Sequence, residues 1–74
     1  MIILIQNRII VLRAERRWTQ EDLAKRLDVT RQTISSIERN KYNLSLRLAF
    51  QIANVFETNI ENVFSWEDNT ERNH

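Results

Sequence analysis

The sequence predicts a mainly α-helical domain of five helices, closed by a small two-stranded antiparallel ribbon made from its N- and C-terminal segments. Three observations lead there. Apolar residues recur at helical spacing behind Ser, Thr or Asn caps from about residue 8 to residue 63. Two of those patterns meet at a three-residue turn within Thr19 to Tyr42. The β-rich stretches, Ile2 to Ile5 and Phe64-Ser65-Trp66-Glu67, lie at opposite ends of the chain, and a strand needs a partner.

Helix 1 is expected from about Arg8 to Arg16. Ile9, Leu12, Arg13 and Arg16 share one stripe, so an arginine is aimed inward beside apolar neighbours and needs an acid. Glu38, near the inner flank of helix 3, is the candidate for a structural salt bridge with Arg13. Trp18 stands between helix 1 and the next cap, where an aromatic fills the core rather than stacking on a base. Helix 2 starts after Thr19, with Asp22 placed as a capping-box acid and Leu23, Ala24 and Leu27 on one face. Helix 3 starts after Thr30; Ile34 and Ile37 face inward while Gln32, Ser35, Ser36 and Arg39 face the other way. Helix 4 runs from the cap Ser45 to about Phe56 and is apolar over more than half its circumference, which predicts burial on more than one side. Asn59 is expected to cap a short helix 5 near Ile60 to Val63. Residues 1–68 thus read as one domain, and residues 69–74 as a disordered tail.

Composition narrows the chemistry. The core of a 74-residue chain rarely supplies more than ~3–5 kcal/mol unaided. Cysteine is absent and the single histidine is His74, so neither a disulfide nor a thiolate metal site is expected, and association with a second copy is the natural source of further stability. Ser35 and Ser36 have no histidine nearby to act as base, and no glycine-rich loop can cradle a phosphate; no enzyme and no cofactor are expected. Glu61, Glu67, Asp68 and Glu71 lack metal-loop spacing and read as an acidic solvated end. The MIILI start is too short to span a bilayer and carries no basic leader, which predicts a cytoplasmic protein without membrane contact.

The net charge of +1 conceals a polarity. Residues 1–56 hold ten Lys or Arg against five Asp or Glu, net +5, and residues 57–74 hold one against five, net −4. A basic body with an acidic end presents one surface to a polyanion and another to something else.

The segments NRI..LR, TQEDLA, VTRQTIS and IERNKYN, within a match from about Asn7 to Trp66, resemble Cro/cI-type (XRE) helix-turn-helix transcriptional regulators. The MIILI start, the RQTI run, the NKYN loop and the VFSW ending are most similar to the small stand-alone, dimeric cytolysin-repressor type. The resemblance implies a five-helix lambda-repressor-like fold and a repressor that binds an inverted-repeat operator in double-stranded DNA as a homodimer. It also implies that Arg13 and Glu38 tie helix 1 to the recognition helix, and that Gln20, Arg31, Gln32, Thr33 and Ser36 are contact positions. The chain departs from the family pattern in having no glycine and no proline. Asp28, Asn40 and Leu44 stand where glycine, glycine and proline are common. Asp and Asn accept a left-handed backbone at about 1 kcal/mol, whereas Leu44 cannot fix its own φ, so the loop from Arg39 to Leu44 is expected to be more mobile.

The roles follow from geometry and resemblance together. Gln32 and Ser36 face outward from the first turns of helix 3, Arg31 can turn toward a guanine, and Thr33 flanks them; these four are the expected base readers. Gln20, Thr30, Arg39, Lys41, Tyr42 and Asn43 are the expected phosphate contacts. Asn54, Ile60, Val63, Phe64 and Trp66, on the acidic and apolar C-terminal side away from DNA, are the expected dimer interface. The alternative is an antitoxin or other partner-binding module whose helix-turn-helix autoregulates its operon, and a regulatory protein partner fits either case.

Overall fold

The structure, a computed structural model, describes residues 3–68. Its elements run β1 (Ile3–Asn7), α1 (Ile9–Arg16), α2 (Gln20–Leu27), α3 (Arg31–Glu38), α4 (Leu46–Val55), α5 (Ile60–Val63) and β2 (Phe64–Asp68). This is the expected class: five helices and a two-stranded antiparallel sheet. The expected tail at residues 69–74, like the start of the expected first strand at Ile2, lies outside the described residues.

The caps explain where the helices begin. Thr19 Oγ1 accepts the Asp22 N–H at 3.0 Å while Asp22 Oδ2 accepts the Thr19 N–H at 2.9 Å, a complete capping box. Thr30 and Ser45 each accept the N–H three residues on, from Thr33 and Leu48, both at 3.1 Å. Arg8 is the residue that precedes α1 rather than its first turn, and it makes no side-chain cap. Asn59 stands at the start of α5 in an extended conformation, but its side chain caps nothing; the turn is closed by the Asn62 N–H to the Asn59 carbonyl at 2.9 Å.

The ends of the helices share one device. Arg17, Asp28, Asn40 and Glu57 all have φ near +58°, and each follows a helix. At each, two N–H groups fold back on the last turn, as in Arg17 to the Ala14 carbonyl and Trp18 to the Arg13 carbonyl, or Glu57 to Asn54 and Thr58 to Ala53. These are Schellman motifs made without glycine. The sequence pointed to Asp28 and Asn40; Arg17 and Glu57, whose side chains carry no such preference, were not expected.

β1 runs further than expected because Gln6 and Asn7 continue it opposite Ser65 and Phe64, and β2 gains Asp68, which pairs with Ile3. A backbone partner extends polar residues that have no β preference of their own. The Arg8 N–H then bonds the Val63 carbonyl at 2.8 Å and fastens the ribbon to α5. Ile9, Leu23, Ile34, Ile52, Phe56 and Val63 form the centre of the core, fully buried, each contributing about 1.5–3 kcal/mol of burial. Trp18 fills the gap beside them, its ring stacked on Phe56 at 5.5 Å and capped by the Arg26 guanidinium at 4.1 Å. α4 buries Ala49, Ile52 and Ala53 but leaves Leu46 70% and Phe50 55% exposed, so part of its apolar circumference is uncovered in the single chain.

Candidate nucleic-acid interface

The left-handed backbone at Asp28 turns α2 into α3 across Asp28, Val29 and Thr30. Val29 packs against the core, and Ile34 and Ile37 sink the inner face of α3 into it. That anchoring leaves Arg31 and Gln32 exposed on the first turn, with Ser35 and Ser36 half-buried one turn later. Among the described residues no hydrogen bond or ion pair engages the side chains of Arg31, Gln32, Arg39 or Lys41, so their donors are free for an external acceptor. Tyr42 and Asn43 are exposed beside them.

Thr30 and Thr33 are linked. Their hydroxyls lie 2.9 Å apart, and Thr30 Oγ1 also accepts the Thr33 N–H. One hydroxyl proton is used between the two, which leaves the second for an acceptor outside the protein. Thr33 is half-buried, whereas Gln32 is exposed.

Gln20 is placed differently from the expectation of a free phosphate donor. Its Nε2 donates to Glu38 Oε1 at 2.8 Å, which leaves the second amide N–H and the backbone N–H of the first turn for a phosphate. Glu38 is the centre of this network: Arg13 Nε donates to Glu38 Oε2 at 2.6 Å, Arg13 Nη2 to Oε1 at 3.4 Å, and Arg13 Nη1 to the Trp18 carbonyl at 2.9 Å. The Glu38 side chain is 3% exposed and that of Arg13 15%. Three elements, α1, the start of α2 and the end of α3, are therefore locked together behind the outward face of α3. The bond from Gln20 carries no periodic signal in the sequence, because it depends on how two helices cross.

Asp22 adds the local charge. The backbone N–H of Thr19, then its hydroxyl, and more weakly Arg26 and Lys25, hold its carboxyl below the ordinary aspartate range. It stays ionised at the N-terminus of α2, where a negative charge suits the helix dipole.

The expected interface residues separate. Trp66 is 65% exposed, Asn54 is exposed, and Ile60 and Phe64 are half-buried. Val63 is 1% exposed and points into the core, so its side chain is not available to a second subunit. Helical period placed it on an apolar face but could not say which way that face turns. Ile5, Leu46 and Phe50, which were not expected there, are exposed; Ile5 and Leu46 line a groove of about 410 Å³ together with Leu44, Ile60 and Phe64, and the same groove is bordered by Tyr42 and Asn43. No helix among the described residues is long and apolar enough to cross a membrane.

A helix-turn-helix family model matches residues 9–62. The chain is 52% identical over 64 residues to an uncharacterized HTH-type transcriptional regulator of Methanocaldococcus jannaschii, covering 86% of this chain and 97% of that one. It is 36% identical over 53 residues to the antitoxin HipB of Escherichia coli O6:H1, a match that covers 72% of this chain and 56% of HipB. A crystal structure from Bacteroides fragilis, assigned as a DNA-binding protein, superposes with a TM-score of 0.74 at 27% identity, covering 84% of this chain and all of the other.

Proposed function

The chain belongs to the helix-turn-helix family, and on that footing we propose that it is a sequence-specific, double-stranded-DNA-binding transcriptional regulator that acts as a repressor on an inverted-repeat operator. The observation that carries the reading is the outward face of α3: Arg31 and Gln32 are exposed and unengaged while Ile34 and Ile37 anchor the same helix in the core. Arg31, Gln32, Thr33 and Ser36 read base edges, Gln32 suiting adenine and Arg31 guanine. Arg39, Lys41, Tyr42 and Asn43, with Thr30 and the first turn of α2 at Gln20, position the protein on phosphates. Repression needs nothing further than occupancy of the site.

One recognition helix spans only a few base pairs, so two copies act together, their helices about 34 Å apart on one face of the DNA. Their interface is the apolar side formed by Trp66, Phe64, Ile60 and Asn54, extended to Ile5, Leu46 and Phe50. The exposure of the large apolar side chains Trp66, Ile5, Leu46 and Phe50 supports it. The arrangement is that of a stand-alone, cytolysin-repressor-type dimer. The likeness to HipB favours a second reading, an antitoxin that also regulates its own operon.

Selection of binding sites from random duplex DNA at physiological salt tests the main reading: an enriched inverted repeat is expected, and no enrichment overturns it. Sedimentation of the protein with Trp66→Asp tests the interface, since a dimer unaffected by that change lies elsewhere. A toxin that co-purifies with the chain and releases it from DNA would establish the second reading.

A further inference from the structure

At the end of β1 one carboxamide makes three bonds. Asn7 Oδ1 accepts the Ile9 N–H at 3.1 Å, and Asn7 Nδ2 donates to the Ile37 carbonyl at 3.0 Å and to Asn40 Oδ1 at 3.0 Å. The partners fix which way round the amide lies, because the Ile9 N–H can only donate and the Ile37 carbonyl can only accept. Asn7 sits in the ribbon opposite Phe64. Its side chain therefore joins the ribbon and the start of α1 to the carboxyl end of α3, across 30 and 33 residues of sequence.

Asn40 is the residue where α3 stops. Its φ is +58°, its N–H bonds the Ile37 carbonyl at 3.0 Å, and the Lys41 N–H bonds the Ser36 carbonyl at 2.8 Å. Glycine would hold that backbone at lower cost. Glycine would also leave Asn7 without its acceptor. Backbone preference and the bond to Asn7 thus ask for different residues at position 40. Lys41, Tyr42 and Asn43, which leave the helix directly from this point, make no bond of their own to the domain through their side chains among the described residues.

From this geometry we infer that Asn7 is a positioning residue for DNA binding. With Asn40 as its acceptor, it fixes where α3 ends and the direction in which Lys41, Tyr42 and Asn43 leave it, without touching DNA itself. The role rests on the DNA-reading function proposed above.

Two variants separate it from a structural one. Asn40→Gly keeps the left-handed backbone and removes only the acceptor, so its melting temperature equals or exceeds that of the wild type. Asn7→Asp keeps an oxygen for the Ile9 N–H and loses both donations. Fluorescence anisotropy on the selected duplex, with thermal melting alongside, is the measurement. Affinity is expected to fall roughly five- to tenfold in Asn40→Gly despite undiminished stability, the scale of one lost hydrogen bond, and at least as far in Asn7→Asp. Asn40→Gly binding as tightly as the wild type overturns the inference. A wild type that prefers no sequence overturns the DNA reading and this role with it, and that failure is visible without either variant.

Discussion

The guanidinium of Arg16 donates through Nη2 to the carbonyl oxygen of Phe56 at 2.6 Å and lies 5.0 Å from the centre of the same residue's ring. Its Nη1 also reaches the Leu12 carbonyl at 3.3 Å. The positive charge thus caps the last turn of α4, whose carbonyls have no helical partner, while its flat face covers the most buried aromatic of the core. Lysine can supply the charge but not both contacts. Arg16→Lys should lower stability by about 1–3 kcal/mol in chemical denaturation, and an unchanged midpoint would show the contact to be incidental.

The Arg13–Glu38 pair should behave as a buried ion pair. Arg13→Ala leaves Glu38 charged and enclosed, at a cost of about 3–5 kcal/mol. The double variant Arg13→Met/Glu38→Leu, which removes both charges, should recover much of that loss in urea denaturation. Equal stability of the single and double variants would mean that water already reaches the pair.

Four helices end on left-handed residues with side chains, and two of these, Arg17 and Glu57, make no side-chain bond among the described residues. Arg17→Gly and Glu57→Gly should each stabilise the fold by about 1 kcal/mol, seen as a rise of about 4–8 °C in melting temperature. A fall in either would show that glycine's greater freedom in the unfolded chain outweighs the relieved backbone.

Asp22 has a folded-state pKa lowered by the Thr19 N–H and hydroxyl. Its contribution to stability is therefore present above the ordinary aspartate range and is lost as pH falls through the lowered folded value. Asp22→Asn keeps an acceptor for Thr19 but no charge. The difference in melting temperature between wild type and variant should be largest near neutral pH and close in acid; a difference independent of pH would remove the charge from the account.

At the DNA, Gln32→Ala should cost about 1–3 kcal/mol on the selected site and relax preference at one base position, whereas Lys41→Ala should weaken all duplexes alike and reduce the salt slope by about 1. Titrations at several salt concentrations distinguish the two. A Gln32→Ala profile matching that of Lys41→Ala would make Gln32 a backbone contact.

Much of this fold can be read from short stretches of sequence. Thr19, Thr30 and Ser45 cap their helices through bonds that span three residues, and Ile34 and Ile37 set the inner face of α3 through helical period alone. Those interactions close within one turn of backbone, so local sequence is sufficient to specify them. The inward Arg13 could be matched with Glu38 because a buried cation demands an acid, Glu38 falls near the inner flank of α3, and the family resemblance pairs the two positions.

The remaining choices were decided by packing. Val63 could face the core or a partner until α5 was laid against α4, and Leu46 and Phe50 could be counted as core until α4 had turned them outward. Gln20 meets Glu38 across 18 residues, Arg16 meets Phe56 across 40, and Asn7 meets Asn40 across 33. Polar side chains of this kind have several chemically equivalent partners in the sequence, and only the crossing of the helices brings one of them within hydrogen-bonding distance. The sequence by itself thus determined the helices, the caps at Thr19, Thr30 and Ser45 and the outward placement of Arg31 and Gln32, while the tertiary structure decided which side chains hold that face in place.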